Sequence, residues 1–181
     1  MGLFKRTAAC LVGMALLFST AAAETTLHFT FAGDCTLGSE EAKRKQATSF
    51  DSVITEKGYD WPFANMQELF QNDDLTVVNL EGVLSDSNRN ENKDKTYRFR
   101  GPTAFVDILT RSGIEAVNLA NNHTQDFGKQ GYTATQETLA AAGVGYFGSR
   151  SVYIFEKDGI KVAFFGLNST AFNGNKAWAK E

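Results

Sequence analysis

Two short apolar runs constrain this chain more than any other feature. Residues 75–80 read Leu-Thr-Val-Val-Asn-Leu, and residues 114–119 read Ile-Glu-Ala-Val-Asn-Leu. Each follows a segment with apolar residues at helical intervals, each ends in Val-Asn-Leu, and each opens into a polar loop. A near-continuous apolar strand suits a sheet covered on both faces. A helix before each strand implies parallel strands joined by right-handed crossovers. The expected class is therefore α/β, a layered sheet with helices on its faces.

The other segments fit around that frame. Residues 27–32 alternate Leu, Phe and Phe with polar residues and run into Gly33-Asp34, as a first strand entering a tight loop would. Residues 39–56 are polar with weak helical spacing. Pro62 suits a first helical turn, and Phe63, Met66, Leu69 and Phe70 recur at helical intervals, which predicts a helix ending near Asn72. Residues 85–95 are polar and charged with no apolar anchor, and are expected to form a mobile loop. Pro102 opens a further helix that Ser112-Gly113 stops, and a helix over 130–142 ends at Gly143. After a short strand at 144–147, residues 152–155 and 160–165 flank Asp158-Gly159, a strong hairpin signal.

The N-terminus reads as a leader that is not part of the fold. Lys5 and Arg6 precede an apolar stretch at 8–18, followed by Ala21-Ala22-Ala23. This is the pattern of a secretory signal peptide over residues 1–23. The stretch is too short for a membrane-spanning helix, which needs roughly 20 residues. Cys10 lies inside it and not at its end, which argues against a lipoprotein anchor. The expected location is secreted, periplasmic or at the cell envelope, with only transient membrane contact through the leader. Residues 24–181 then suit one domain. Cys35 is the one cysteine left, so no intramolecular disulfide can form, and a buried apolar role is the plain reading. The net charge of −3 becomes more negative once Lys5 and Arg6 are removed. That balance gives no electrostatic footprint for nucleic acid. It would repel a polyanion unless a local basic site or a metal intervened.

In open α/β sheets the site lies beyond the carboxyl ends of the strands. Three such ends carry polar residues: Asp34, Glu81 and Asn121-Asn122-His123. Singly, each has a structural reading, as a turn cap, a solvated carboxylate, turn asparagines or a surface histidine. Together they form a mixed oxygen and nitrogen donor set suited to Mg, Mn, Zn or Fe. His28 lies in the first strand and reads as strand filler.

Three segments carry a resemblance. Phe31-Ala-Gly33-Asp34-Cys-Thr-Leu-Gly38 resembles the opening Gly-Asp motif of the CapA family of capsule and poly-γ-glutamate synthesis. Val78-Asn79-Leu80-Glu81-Gly82 is similar to its Asn-Leu-Glu motif. Asn118-Leu-Ala-Asn121-Asn122-His123, continuing through Asp126, Gly128, Gly131, Thr135 and Leu139, resembles its longest signature. The match runs in order over about residues 27–167. The resemblance implies a fold like that of the calcineurin-type metallophosphoesterases. It implies Asp34 as a first metal ligand, Glu81 in the place of a bridging carboxylate, and Asn122 as a ligand of a second metal. His123 would be the neighbouring catalytic acid or anion stabiliser.

The family's His-Trp-Gly-x-Glu and Gly-His-x-Pro-His motifs are not in this sequence. The sheet is accordingly expected to be incomplete at the C-terminus, with apolar strand surface uncovered and metal affinity weak. A fragment of a longer product and a truncated relative both fit that expectation. The implied role is an exported protein of envelope polymer assembly, working with the polymer or its biosynthetic machinery. The alternatives are an exported metal-dependent phosphoesterase or other hydrolase, and a non-catalytic module that binds or tethers the polymer.

Overall fold

A computed structural model describes residues 24–168. The leader and the last thirteen positions, with the readings made on them, lie outside the described residues. Strand β1 spans Phe29–Cys35, followed by the two-residue β2, Ser39–Glu40. Helix α1, Phe50–Lys57, starts where the Ser49 hydroxyl accepts the Ser52 amide, and stops at Gly58 with φ of 87°. A five-residue helix α2, Gln67–Gln71, leads into β3, Leu75–Leu80. The short strands β4, Val83–Leu84, and β5, Phe99–Gly101, bracket the polar loop. One 3-10 turn passes into α3, Val106–Ser112, which Gly113 closes in the left-handed conformation, φ 77°. Strand β6 is Ala116–Asn118, α4 is Gly128–Ala141, and β7 is Gly145–Phe147. The hairpin β8, Tyr153–Lys157, and β9, Ile160–Phe164, turns at Asp158-Gly159, both with positive φ as a two-residue primed turn requires.

The main sheet is parallel throughout, in the order β1-β3-β6-β7. Residue alternation along β3 divides the core in two. Val78 and Leu80 face the helices, where Ile54, Phe70, Ile108, Leu109 and Leu139 pack with Val117 and Leu119. Leu75 and Val77 face the other way, with Ala116 and Phe147, onto the β8–β9 hairpin. Aromatic rings fill that second interface. Phe29 meets Phe155 at 5.3 Å and Phe164 at 5.8 Å, and Phe147 meets Phe164 at 5.8 Å between centroids. The layers are thus helices, parallel sheet, and hairpin, an α/β architecture as the apolar runs imply.

Two details differ from the sequence reading. The helix expected from Pro62 begins only at Gln67, and residues 61–66 form successive tight turns instead, such as Met66 N to Phe63 O at 2.8 Å. The apolar spacing there is not one buried stripe. Phe63 packs on Phe70 at 5.8 Å, while Met66 and Leu69 face solvent. A second sheet, β2-β5-β4, was not anticipated. It is held to the fold by buried Arg100, which binds Glu41 and the Ser85 carbonyl, and by Thr135, whose hydroxyl accepts the Leu84 amide at 2.9 Å.

Candidate functional site

The parallel register puts Asp34, Asn79 and Asn118 in one row across β1, β3 and β6. Their side chains join along it. Asn79 donates its amide to Asp34 Oδ1 at 2.7 Å, and Asn118 donates to Asn79 Oδ1 at 2.9 Å. Asn121, just past β6, also donates to Asn79 Oδ1, at 3.1 Å, and to the Leu80 carbonyl at 2.9 Å. In return the Asn121 side-chain oxygen accepts the His123 amide at 3.0 Å, and the Thr124 hydroxyl ties the same turn to the Leu119 carbonyl. One amide, Asn79, therefore connects the exposed carboxylate of Asp34 to the backbone that carries His123.

Glu81 leaves β3 one residue beyond this row. Its carboxylate accepts the Thr36 hydroxyl at 3.1 Å and stands 3.7 Å from His123 Nε2. The other ring nitrogen of His123 lies 2.7 Å from Asp126 Oδ2, and Asp126 is fully buried. Phe99 lies against the imidazole at 4.7 Å between centroids. Lys95 reaches in from the polar loop to Asp126 and to the Asn122 carbonyl. That loop is tied to the start of α4 by Asn90, which donates to Gln130 at 2.9 Å, and is braced within itself by the Arg98–Glu91 ion pair at 2.8 Å. The absence of an apolar anchor in its sequence hides these polar ones.

Asp34, Glu81, Asn122 and His123 all lie at the carboxyl edge of the parallel sheet. Glu81 and His123 stand side by side, and Asp34 joins them through Asn79 and not by direct contact. Asn122 is exposed, and its recorded contact is through its backbone oxygen. Cys35, next to Asp34, turns into the core, and burial pushes its thiol up to about 12, which suits an inert apolar residue. His28 is exposed just before β1, at the other end of the sheet. Oxygen donors of this kind suit a hard divalent cation. Among the described residues, however, no three of His, Cys, Asp and Glu come together as a group that could hold a metal ion.

Sequence reasoning singled out the strand-end residues and missed those that hold them. Asn79 and Asn118 were visible as the repeated Asn of Val-Asn-Leu, a repeat whose meaning is the shared register. Asp126 was visible inside the longest signature. Nothing local marks Lys95, whose contacts depend on how the loop folds back.

Comparison with known proteins bears on this edge. The family model described as bacterial capsule synthesis protein PGA_cap matches residues 28–181. The capsule biosynthesis protein CapA of Bacillus anthracis is 24% identical over 131 residues, covering 67% of this chain and 32% of that protein. The PGA biosynthesis protein CapA of Bacillus subtilis is 24% identical over 159 residues, covering 83% of this chain and 40% of its own length. A probable polyglutamine synthesis accessory protein of Mycobacterium tuberculosis is 34% identical over 87 residues, 46% of this chain and 22% of that protein. The chain thus spans well under half the length of the curated relatives it matches. The chain belongs to the bacterial capsule synthesis protein PGA_cap family.

Proposed function

We propose that this chain serves in the synthesis of an envelope polymer, capsule or poly-γ-glutamate, on the outer side of the cytoplasmic membrane. The observation that carries the reading is the family match over residues 28–181, which takes in the whole strand-end site. The relatives' names, for capsule, PGA and polyglutamine synthesis, support the same role. The partner is then the polymer or its biosynthetic machinery, and the leader at residues 1–23 delivers the chain to it. Helix, sheet and hairpin layering also supports a fold of the metallophosphoesterase type.

The chemistry is assigned to the strand-end residues. His123, held through Nδ1, presents Nε2 beside Glu81 and acts as the proton-handling or anion-stabilising group. Asp34, Glu81 and the Asn122 side chain would hold a divalent cation, Mn, Zn, Mg or Fe, which would neutralise an anionic substrate group. With so few strong donors the affinity of this chain is weak. Calorimetric titration with Mn or Zn should give shallow binding that Asp34→Ala abolishes and His123→Ala spares. Equal binding by Asp34→Ala removes the metal assignment.

The role itself is tested by deleting the gene in its bacterium and measuring polymer on the cell surface. A marked loss, restored by the wild-type gene, is expected, and the protein recovered from the envelope should begin at or near Glu24. An unchanged polymer level defeats the reading.

A further inference from the structure

Asp126 is fully buried, and its two carboxylate oxygens are claimed from different segments. Oδ2 lies 2.7 Å from His123 Nδ1 and accepts the Phe99 amide at 2.8 Å. Oδ1 takes the ammonium of Lys95. Lys95 also donates to the Asn122 carbonyl at 2.6 Å and stands 3.4 Å from His123 Nδ1. A second tie fixes the same two segments, with the Asn92 amide donating to the Asp126 carbonyl at 2.8 Å.

Two tautomers of the neutral ring compete here. With hydrogen on Nε2, Nδ1 could accept from Lys95, and Nε2–H would point at Glu81. That arrangement sets the Nδ1 lone pair against a carboxylate oxygen only 2.7 Å away, which is repulsive. With hydrogen on Nδ1, the short contact becomes a charge-assisted hydrogen bond, and Lys95 keeps its other two acceptors. The shorter distance decides in favour of Nδ1–H. Nε2 is then the bare nitrogen, 3.7 Å from Glu81 Oε1 and facing the strand-end site.

We propose that Asp126 and Lys95 are positioning residues for His123. Asp126 fixes the ring as the Nδ1–H tautomer, and Lys95 occupies the second oxygen of Asp126 so that the carboxylate cannot turn away from the ring. The polar loop over residues 85–98 then belongs to the working site through Lys95. The inference rests on the reading of His123 as the site's proton-handling group, but its test does not use function.

Long-range proton–nitrogen correlation spectra of the full chain, recorded at alkaline pH, distinguish the two neutral tautomers of each histidine ring from one another and from the imidazolium. The protein has two histidines, and His28→Gln identifies the His123 signals. The wild type should show the Nδ1–H pattern for His123. Asp126→Ala should shift it to the Nε2–H form that free imidazole prefers. Lys95→Met should give a mixture, and Lys95→Arg should restore the wild-type pattern. An Nε2–H pattern in the wild type overturns the proposal even if Asp126→Ala fails to fold. A folded Asp126→Ala with an unchanged pattern also overturns it, and an unchanged Lys95→Met removes Lys95. No polymer, metal or substrate enters the measurement, so an error in the assigned role leaves these outcomes as they are.

Discussion

A Cβ on Gly101 would stand 2.1 Å from the Leu37 carbonyl oxygen, and one on Gly38 would stand 2.4 Å from the Arg100 carbonyl carbon. These two glycines let the backbone after β1 lie directly on β5. A Cβ on Gly33 would meet nothing within 4 Å, although Gly33 belongs to the Gly-Asp motif. Gly101→Ala should therefore cost about 2 kcal/mol, the usual scale of overpacking against rigid atoms. Gly33→Ala should stay within about 0.5 kcal/mol of the parent, as exposed substitutions do. Urea unfolding of both variants checks the contrast, and equal effects would show the close approach to be unimportant. The same distinction governs what a residue reading of the site could find. Asp34, Glu81 and His123 were legible because each stands at or just past the carboxyl end of a strand, and strand ends are where sheets carry sites. The work of Asn79, Asn121, Asp126 and Lys95 was not, because it depends on register and loop path that single residues do not encode.

Among the elements, those with local signals were legible. Strand β3 spans the apolar run at Leu75–Leu80, Gly113 closes α3, and Asp158-Gly159 turns the hairpin. The β2-β5-β4 sheet was not, since strands of two or three residues carry no periodicity and pair over long separations. That sheet combines buried Val83 and Leu84 with an ion pair. Arg100 Nη2 lies 2.7 Å from Glu41 Oε2, with Arg44 and Asn88 also on Glu41. Burial alone would raise the Glu41 carboxyl, but the Arg100 hydrogen bond and charge, with Arg44 and Asn88, hold it below the ordinary value of 4.5. A group depressed in the folded state stabilises above its unfolded pKa and loses that contribution as pH falls through the folded one. Wild type should thus exceed Glu41→Gln in urea midpoint at pH 6, and the gap should narrow as pH falls through the acid range below the ordinary carboxyl value. A gap that does not narrow at all on acidification would contradict the pairing. Arg100→Met should cost about 2 kcal/mol or more at pH 7, because it strips charged hydrogen bonds from Glu41 and the Ser85 carbonyl.

At the scale of the molecule, the hairpin layer is apolar on its inner side and mixed on its outer side, where exposed Ile154 neighbours the Glu156–Lys161 ion pair. Its inner rings pack on the main sheet, while Ile154 and Phe165 are 52% and 70% exposed, with Val152 and Leu167 exposed beside them. Phe31 on the sheet's edge strand is 64% exposed. Apolar surface this contiguous favours association and dye binding. The protein should bind a hydrophobic dye, and the double change Phe165→Ser and Leu167→Ser should lower that fluorescence by about half. No dye binding by the parent would mean the surface is covered in solution. The role proposed for this fold places the chain's contribution to polymer synthesis at the edge where Asp34, Glu81 and His123 stand. Its most direct test is the gene-deleted bacterium complemented with wild type, Asp34→Ala or His123→Ala, each matched for envelope protein by immunoblot, with surface polymer quantified. Wild type should restore the polymer and each variant less than about a tenth of it, in line with loss of a positioned acid–base group. Full restoration by either variant at matched protein level would contradict the assignment of that edge as the working site.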